Sequence, residues 1–188
     1  MLKVITIIMS LSLSIVSASS IIQVSGTETD FELQQINPSL INVNVSMGDI
    51  FTSDENKNEE DFTRLFLPNF HLSRNEGEPE LPEIHKLIEI PYNAVPRIEI
   101  ISSNYKDYYL SELGIETDIF PAQPSLSKSQ SIDDVPFILN EEVYSRNTFL
   151  NKDLVSVNIE GQLRAITIAN INIRPVDYHP TERILRIY

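Results

Sequence analysis

Apolar and polar residues alternate along most of this chain, and the clearest stretch lies between residues 84 and 101. Residues 84–90 read Ile-His-Lys-Leu-Ile-Glu-Ile and residues 95–101 read Val-Pro-Arg-Ile-Glu-Ile-Ile. Between them stand Pro91, Tyr92, Asn93 and Ala94. A period of two bounded by Pro and Asn predicts a strand, a turn and a second strand. Proline has no N–H for a ladder, so Pro79, Pro82, Pro91 and Pro96 are expected at strand ends or edges.

The same pattern recurs on both sides. Residues 21–24 and 31–36 are short apolar segments, and residues 41–45 alternate as a strand before a turn at 46–49. Residues 53–61 are polar and charged throughout, which predicts a mobile surface loop. Hydrophobic character returns over 62–70, and residues 108–110 and 115–120 are strand candidates. Residues 121–134 carry no periodicity. Asn140 followed by Glu141 and Glu142 predicts an N-cap and one helical turn with acids in its first turn. Residues 154–159 alternate, 160–162 read as a turn, and a long strand starts at Leu163. Ile166 and Ile168 share a parity that Ile171 and Ile173 reverse, which predicts a bulge at Ala169 and Asn170. A turn at 180–182 precedes a last strand over 184–188. Many short strands without a long 3.6-residue pattern predict an all-β fold, an antiparallel sandwich or barrel-like domain with one short helical turn.

The amino terminus breaks this pattern. Lys3 precedes an apolar run over 4–16, and Val16, Ser17 and Ala18 place small residues at its end. That order predicts a secretory signal peptide over 1–18 and a single domain over 19–188. The run is shorter than the about 20 residues of a membrane span, so no span is expected in the mature chain. The mature protein is expected to be secreted or held at the cell surface.

Composition narrows the chemistry. The 188 residues contain no Cys and no Trp, with a formal net charge of −13. A thiolate metal site and a cysteine nucleophile are excluded. His71, His85 and His179 lack a second His at helical ligand spacing. Nucleic acid is an unfavourable partner for so acidic a chain. His179 near Asp177 reads as a surface turn histidine, since no nucleophile motif accompanies it. The acids around 53–61 lack the glycine and spacing of a calcium loop. Tyr105, Tyr108 and Tyr109 read as core or cross-strand packing before a sugar-binding face. No paired catalytic constellation is present, and no cofactor or metal is expected.

Several elements together carry a resemblance. They are Leu81-Pro82 before a strand, Ile90-Pro91 at its end, Phe120-Pro121-Ala122-Gln123-Pro124, Tyr144-Ser145, and Pro175-Val176-Asp177-Tyr178 leading to Leu185-Arg186-Ile187-Tyr188. In order and spacing over residues 31–188 the chain resembles the propeptide of gingipain-type cysteine peptidases, secreted bacterial enzymes. The resemblance implies an all-β prodomain that keeps a peptidase latent and assists its folding, and the chain is expected to be a monomer. Its partner would be the catalytic domain of such a peptidase. Gingipain-type enzymes cut after basic residues. The resemblance therefore makes Lys128 the candidate occupant of a specificity pocket, with Gln123, Ser127 and Ser129 beside it in an inhibitory loop and Arg146 as the alternative cation. A buried carboxylate left without its cation costs free energy, which is why a basic residue is sought. The second reading is a non-catalytic binding or adhesion module of an exported surface protein.

Overall fold

Where branched apolar residues recur at every second position, the chain forms ladders, and charge does not prevent it where the turn is right. The computed structural model describes residues 19–24, 28–128, 130, 135–150, 153–164 and 166–188. The predicted signal peptide over 1–18 lies outside them. The strands are β1 Ser19–Ile22, β2 Asp30–Asn37, β3 Leu40–Ser46, β4 Ile50–Lys57, β5 Glu60–Phe66, β6 His71–Leu72 and β7 Pro82–Ile90. They continue with β8 Lys106–Tyr109, β9 Asp118–Ile119, β10 Val155–Leu163, β11 Ile166–Ile173, β12 Val176–His179 and β13 Ile184–Ile187. One short helix, α1 at Glu141–Tyr144, is capped by the Asn140 side chain accepting from Val143 N–H. This is the cap and turn that the sequence predicts.

Four sheets result, ordered β1-β4-β5-β9, β10-β11-β7-β6, β12-β13-β8 and β2-β3. All pairings are antiparallel except the short β5–β9 contact. The fold is all-β, and its sheets stay open, so it is layered and not a closed barrel. A first core joins β1-β4-β5-β9 to β12-β13-β8 through Ile22, Ile50, Leu65, Tyr178 and Leu185, each almost without exposed surface. A second, smaller core lies on one face of β10-β11-β7, where Ile84, Ile171 and Ile173 meet Phe31 and Val45 of the β2–β3 hairpin. Only the base of that hairpin is packed; Leu33 and Val43, directly opposite one another, are exposed.

Three expectations change. The run 95–101 is not a strand: after β7 the chain turns at Ala94 N–H to Pro91 C=O (3.0 Å), with Asn93 at φ 59°. Among the described residues, 95–104 then join no sheet and make no backbone hydrogen bond. β7 pairs β11 over residues 84–90 instead, which buries its isoleucine face, and Pro96 removes a donor from any returning strand. The second change concerns 53–61, which is not a loop but the β4–β5 hairpin, closed through Asn58 and Glu59 at φ 54° and 68°. Two consecutive positive-φ residues match the twist of the flanking strands, and alternate side chains face the solvent, so charge is accommodated. The third is the bulge, which sits in β10 between Ile159 and Gly161 and not in β11. β11 keeps an unbroken register with β7, so Ile166 and Ile168 simply face the other side. Residues 160–162 consequently belong to β10, not to a turn.

Gly77 holds the two halves together. Its N–H donates to Ala122 C=O (2.8 Å), and its C=O accepts from Asn140 N–H (3.0 Å). It stands at φ +79°, and a Cβ there would meet Asn140 N at 3.0 Å and Ile138 Cγ2 at 3.1 Å. Left-handed backbone and backbone contact both oppose a side chain. Gly77→Ala is expected to lower stability by about 1–3 kcal/mol, read as a fall in the midpoint of thermal unfolding. An unchanged midpoint would show that the junction relaxes without cost.

Candidate functional site

Two segments outside the ladders bear the charged and apolar surface from which a binding site can be made. The first comprises the described residues 122–128, 130 and 135–137. Its base is stapled by one side chain: Gln123 Nε2 donates to Ile138 C=O (2.8 Å) and Pro121 C=O (3.0 Å), and Gln123 Oε1 accepts from Ile138 N–H (2.9 Å). Beneath it, Phe62 packs on Phe120 and Phe137, with ring centroids 5.8 and 5.7 Å away. The Arg64 guanidinium lies 4.1 Å from the Phe120 ring centre and 3.6 Å from Glu80. Burial pushes the Glu80 carboxyl above its ordinary range, and Arg64 only partly offsets this.

This geometry distributes the residues predicted from sequence unequally. Gln123 is half-buried, its amide committed to the loop base. Lys128 is exposed in a turn closed by Gln130 N–H to Ser127 C=O (3.1 Å) and Ser127 N–H to Gln130 Oε1 (3.0 Å). Ser129 lies outside the described residues. Arg146 follows α1 and lies 3.9 Å from Glu142 one turn earlier, an exposed pair. Lys128 and Ser127 share the turn; Arg146 belongs to the separate helical element.

The second segment is 92–105, in which the sequence predicts a strand over 95–101. It joins no sheet and exposes several large apolar side chains close together: Val95 is 89% exposed and Ile101 86%. Tyr92, Ile98, Ile100 and Tyr105 are exposed as well. Arg97 lies among them, and among the described residues no carboxylate pairs with it. The segment ends firmly. The Tyr105 ring lies 5.7 Å from Tyr188 and 4.1 Å from the Arg186 guanidinium, and Arg186 is in turn held by Asp107 in two hydrogen bonds of 2.8 Å. That bidentate pair holds the Asp107 carboxyl below its usual range. The signal available in the sequence was Pro91 and Pro96 bracketing a short turn, which restricts ladder formation just before Arg97.

The remaining candidates take structural places. His179 is buried in β12, opposite Ile184, with its ring edge-on to Phe149 at 5.2 Å. It is therefore not a surface turn histidine: pairing with β13 draws it inside. Tyr108 is core, while Tyr105 and Tyr109 are exposed. Asp118 takes hydrogen bonds from Arg183 Nε (2.9 Å) and Tyr178 OH (3.3 Å), tying β9 to β12 and the turn that follows it. Burial first, then Asp118, raises the Tyr178 phenol beyond physiological titration. Among the described residues no group of three or more His, Asp or Glu is placed to hold a metal ion, and no helix is long and apolar enough to cross a membrane.

Comparison with known proteins agrees with this architecture. Residues 30–188 match the family model described as Propeptide_C25. Lys-gingipain of Porphyromonas gingivalis is 33% identical over 126 residues, which is 67% of this chain and 7% of the relative. Gingipain R2 of the same organism is 22% identical over 115 residues, 60% of this chain and 14% of the relative. The chain thus spans a small part of the length of these relatives. Among solved structures, one concerned with the zymogenic latency of gingipain K from P. gingivalis superimposes with a TM-score of 0.81 at 26% identity, covering 90% of this chain and 93% of that one. The complex of the P. gingivalis RgpB pro- and mature domains gives a TM-score of 0.71 at 18% identity, covering 84% and 80%, a likeness of fold.

Proposed function

Because the chain belongs to the Propeptide_C25 family, we propose that it is the prodomain that keeps a gingipain-type cysteine peptidase latent and assists its folding, with no catalysis of its own. Residues 1–18 serve as the export signal and 19–188 as the prodomain, acting outside the cytoplasm. The observation that carries the reading is segment 92–105. A peptide that occupies a peptidase cleft must offer main chain with free N–H and C=O groups, and here residues 95–104 stand exposed outside every sheet, around Arg97, with no backbone hydrogen bond and no carboxylate partner for Arg97 among the described residues. The rest of the domain is the rigid support that lowers the entropic cost of presenting it.

Lys128 is the second candidate for the cation. Exposure and the absence of a carboxylate partner among the described residues favour it; the closed turn around it favours Arg97. The test is direct. The purified chain is added to mature Lys-gingipain and to gingipain R2, and hydrolysis of peptides ending in Lys or Arg is followed. Saturable inhibition of at least one enzyme by intact chain is expected. No inhibition of either at micromolar chain would reject the prodomain reading and leave the binding or adhesion module.

A further inference from the structure

The loop that carries Lys128 is seated on charge. Directly opposed residues of the β4–β5 hairpin share a face, so Glu55, Lys57, Phe62 and Arg64 lie on one side of it. Phe120 and Phe137 cover that side at Phe62. Beside them lies a cavity of about 190 Å³, lined by Glu55, Lys57 and Arg64 of the hairpin, by Glu80, and by Leu126 and Val135 from the two legs of the loop. The main chain ties Glu80 to the same place, its N–H donating to Phe120 C=O (2.9 Å). The Glu80 side chain is 14% exposed, and Arg64 Nη1 stands 3.6 Å from its Oε2. A charge-assisted bond of full strength is about 2.7–2.9 Å long. Arg64 is divided between this carboxylate and the Phe120 ring, whose centre is 4.1 Å away.

We infer that this seat is proton-sensitive: Glu80 takes up a proton in mildly acidic medium, and the loss of its charge tightens the packing of both legs on β4 and β5. A charged carboxylate lining a closed cavity favours any opening that lets water in, and a neutral acid does so far less. Two effects compete at the carboxyl. Burial disfavours the charged form, and Arg64 favours it. Burial is the larger, and the charge of Glu55 adds to it, so the carboxyl stands above its ordinary range. The other groups near it among the described residues leave this direction unchanged. Lys57 lines the cavity without an ion pair to Glu80. Tyr144 of α1 donates to Ile119 C=O (2.5 Å), and burial raises its phenol beyond physiological titration. A carboxyl raised on folding costs stability at neutral pH, and that cost disappears as pH falls through the raised range towards the ordinary value of 4.5. The loop is thus held more firmly in mild acid than at neutral pH. The inference concerns the domain alone and stands whether or not the prodomain reading holds.

The experiment compares the wild-type chain with E80Q and with E112Q, which removes an exposed carboxyl. Circular dichroism verifies that each variant keeps its β spectrum. Nuclear magnetic resonance follows the side-chain carboxyl carbons of wild-type Glu80 and Glu112 from about pH 8 to about pH 4. Glu80 is expected to titrate at the higher pH. The amide of Ile138, which donates to Gln123 Oε1 at the base of the loop, is expected to shift in step with it. In thermal unfolding, wild type is expected to gain about 2 °C or more on E80Q between about pH 7.5 and about pH 4.5, while its difference from E112Q stays constant. At neutral pH the Ile138 amide is expected to exchange with solvent more slowly in E80Q than in wild type. A Glu80 midpoint at or below that of Glu112 overturns the inference, as does a wild type that holds level with E80Q or loses ground to it as the pH falls. Titration of Glu80 without a response at Ile138 overturns the coupling to the loop. Should E80Q fail to fold, the wild-type titration and the Ile138 shift decide the outcome.

Discussion

Replacing Arg97 with alanine is expected to weaken inhibition by more than about thirtyfold, measured on whichever of Lys-gingipain and gingipain R2 the wild-type chain inhibits more tightly. The reason is the environment that the segment provides. Arg97 has no carboxylate partner among the described residues, so the free domain does nothing to satisfy it. Its neighbours Val95, Ile98 and Ile101 are exposed apolar groups that exclude water once covered. A charge-assisted contact desolvated in this way and then lost on one side costs about 2–5 kcal/mol, and each 1.4 kcal/mol is tenfold. Lys128→Ala is the matched comparison, and Arg164→Ala, in an exposed turn, controls for charge alone. If Lys128→Ala gives the large loss and Arg97→Ala none, the loop over 121–137 carries the inhibition. Small losses at both would place the binding energy in the sheets.

The second large effect concerns stability. Leu185→Ala is expected to destabilise the domain by about 2–5 kcal/mol. Leu185 has no exposed surface, lies in the central strand of β12-β13-β8, and is flanked by Tyr178 on one side and Tyr108 on the other. Removing it leaves a cavity that the two aromatic neighbours, both members of one packed cluster, cannot collapse to fill. For a domain of this size each kcal/mol moves the melting midpoint by roughly 2–4 °C, so a fall of about 4–20 °C is expected by calorimetry. Leu87→Ala, at a position 70% exposed, should move it by less than about 2 °C, since surface changes stay within about 0.5 kcal/mol. A shift at Leu185 as small as that at Leu87 would mean that the first core is not the stabilising one.

Much of the architecture was legible because alternation is a local property. The isoleucines of β7 and β11 and the Val-rich β3 announce strands whatever they pair with, and Asn140 before two glutamates announces a cap because its partner, Val143 N–H, is three residues away. The family was legible from the order of its proline-bounded elements. The failures share one cause. Residues 95–101 have strand composition, yet no partner edge is offered to them, because β11, some 70 residues later, takes β7. Residues 53–61 have loop composition, yet Asn58 and Glu59 adopt the positive φ that closes a hairpin. His179 reads as a turn residue until β13 pairs beside it.

The candidate site divides along the same line. The sequence by itself determined that this chain has no cysteine nucleophile, that its folded part is β, and that lysines and arginines lie in aperiodic stretches. It pointed to Lys128 because the segment around it lacks period. Only the tertiary structure decided that the Gln123 side chain staples that segment at its base, that Lys128 sits in a closed turn, and that Arg97 stands in a stretch that joins no sheet among the described residues. The physical reason is that strand propensity reports how a residue suits a pleated backbone, whereas pairing is a competition between edges far apart in sequence. Which apolar run wins a partner, and which is left bare for another protein, is settled only when all the edges are present together.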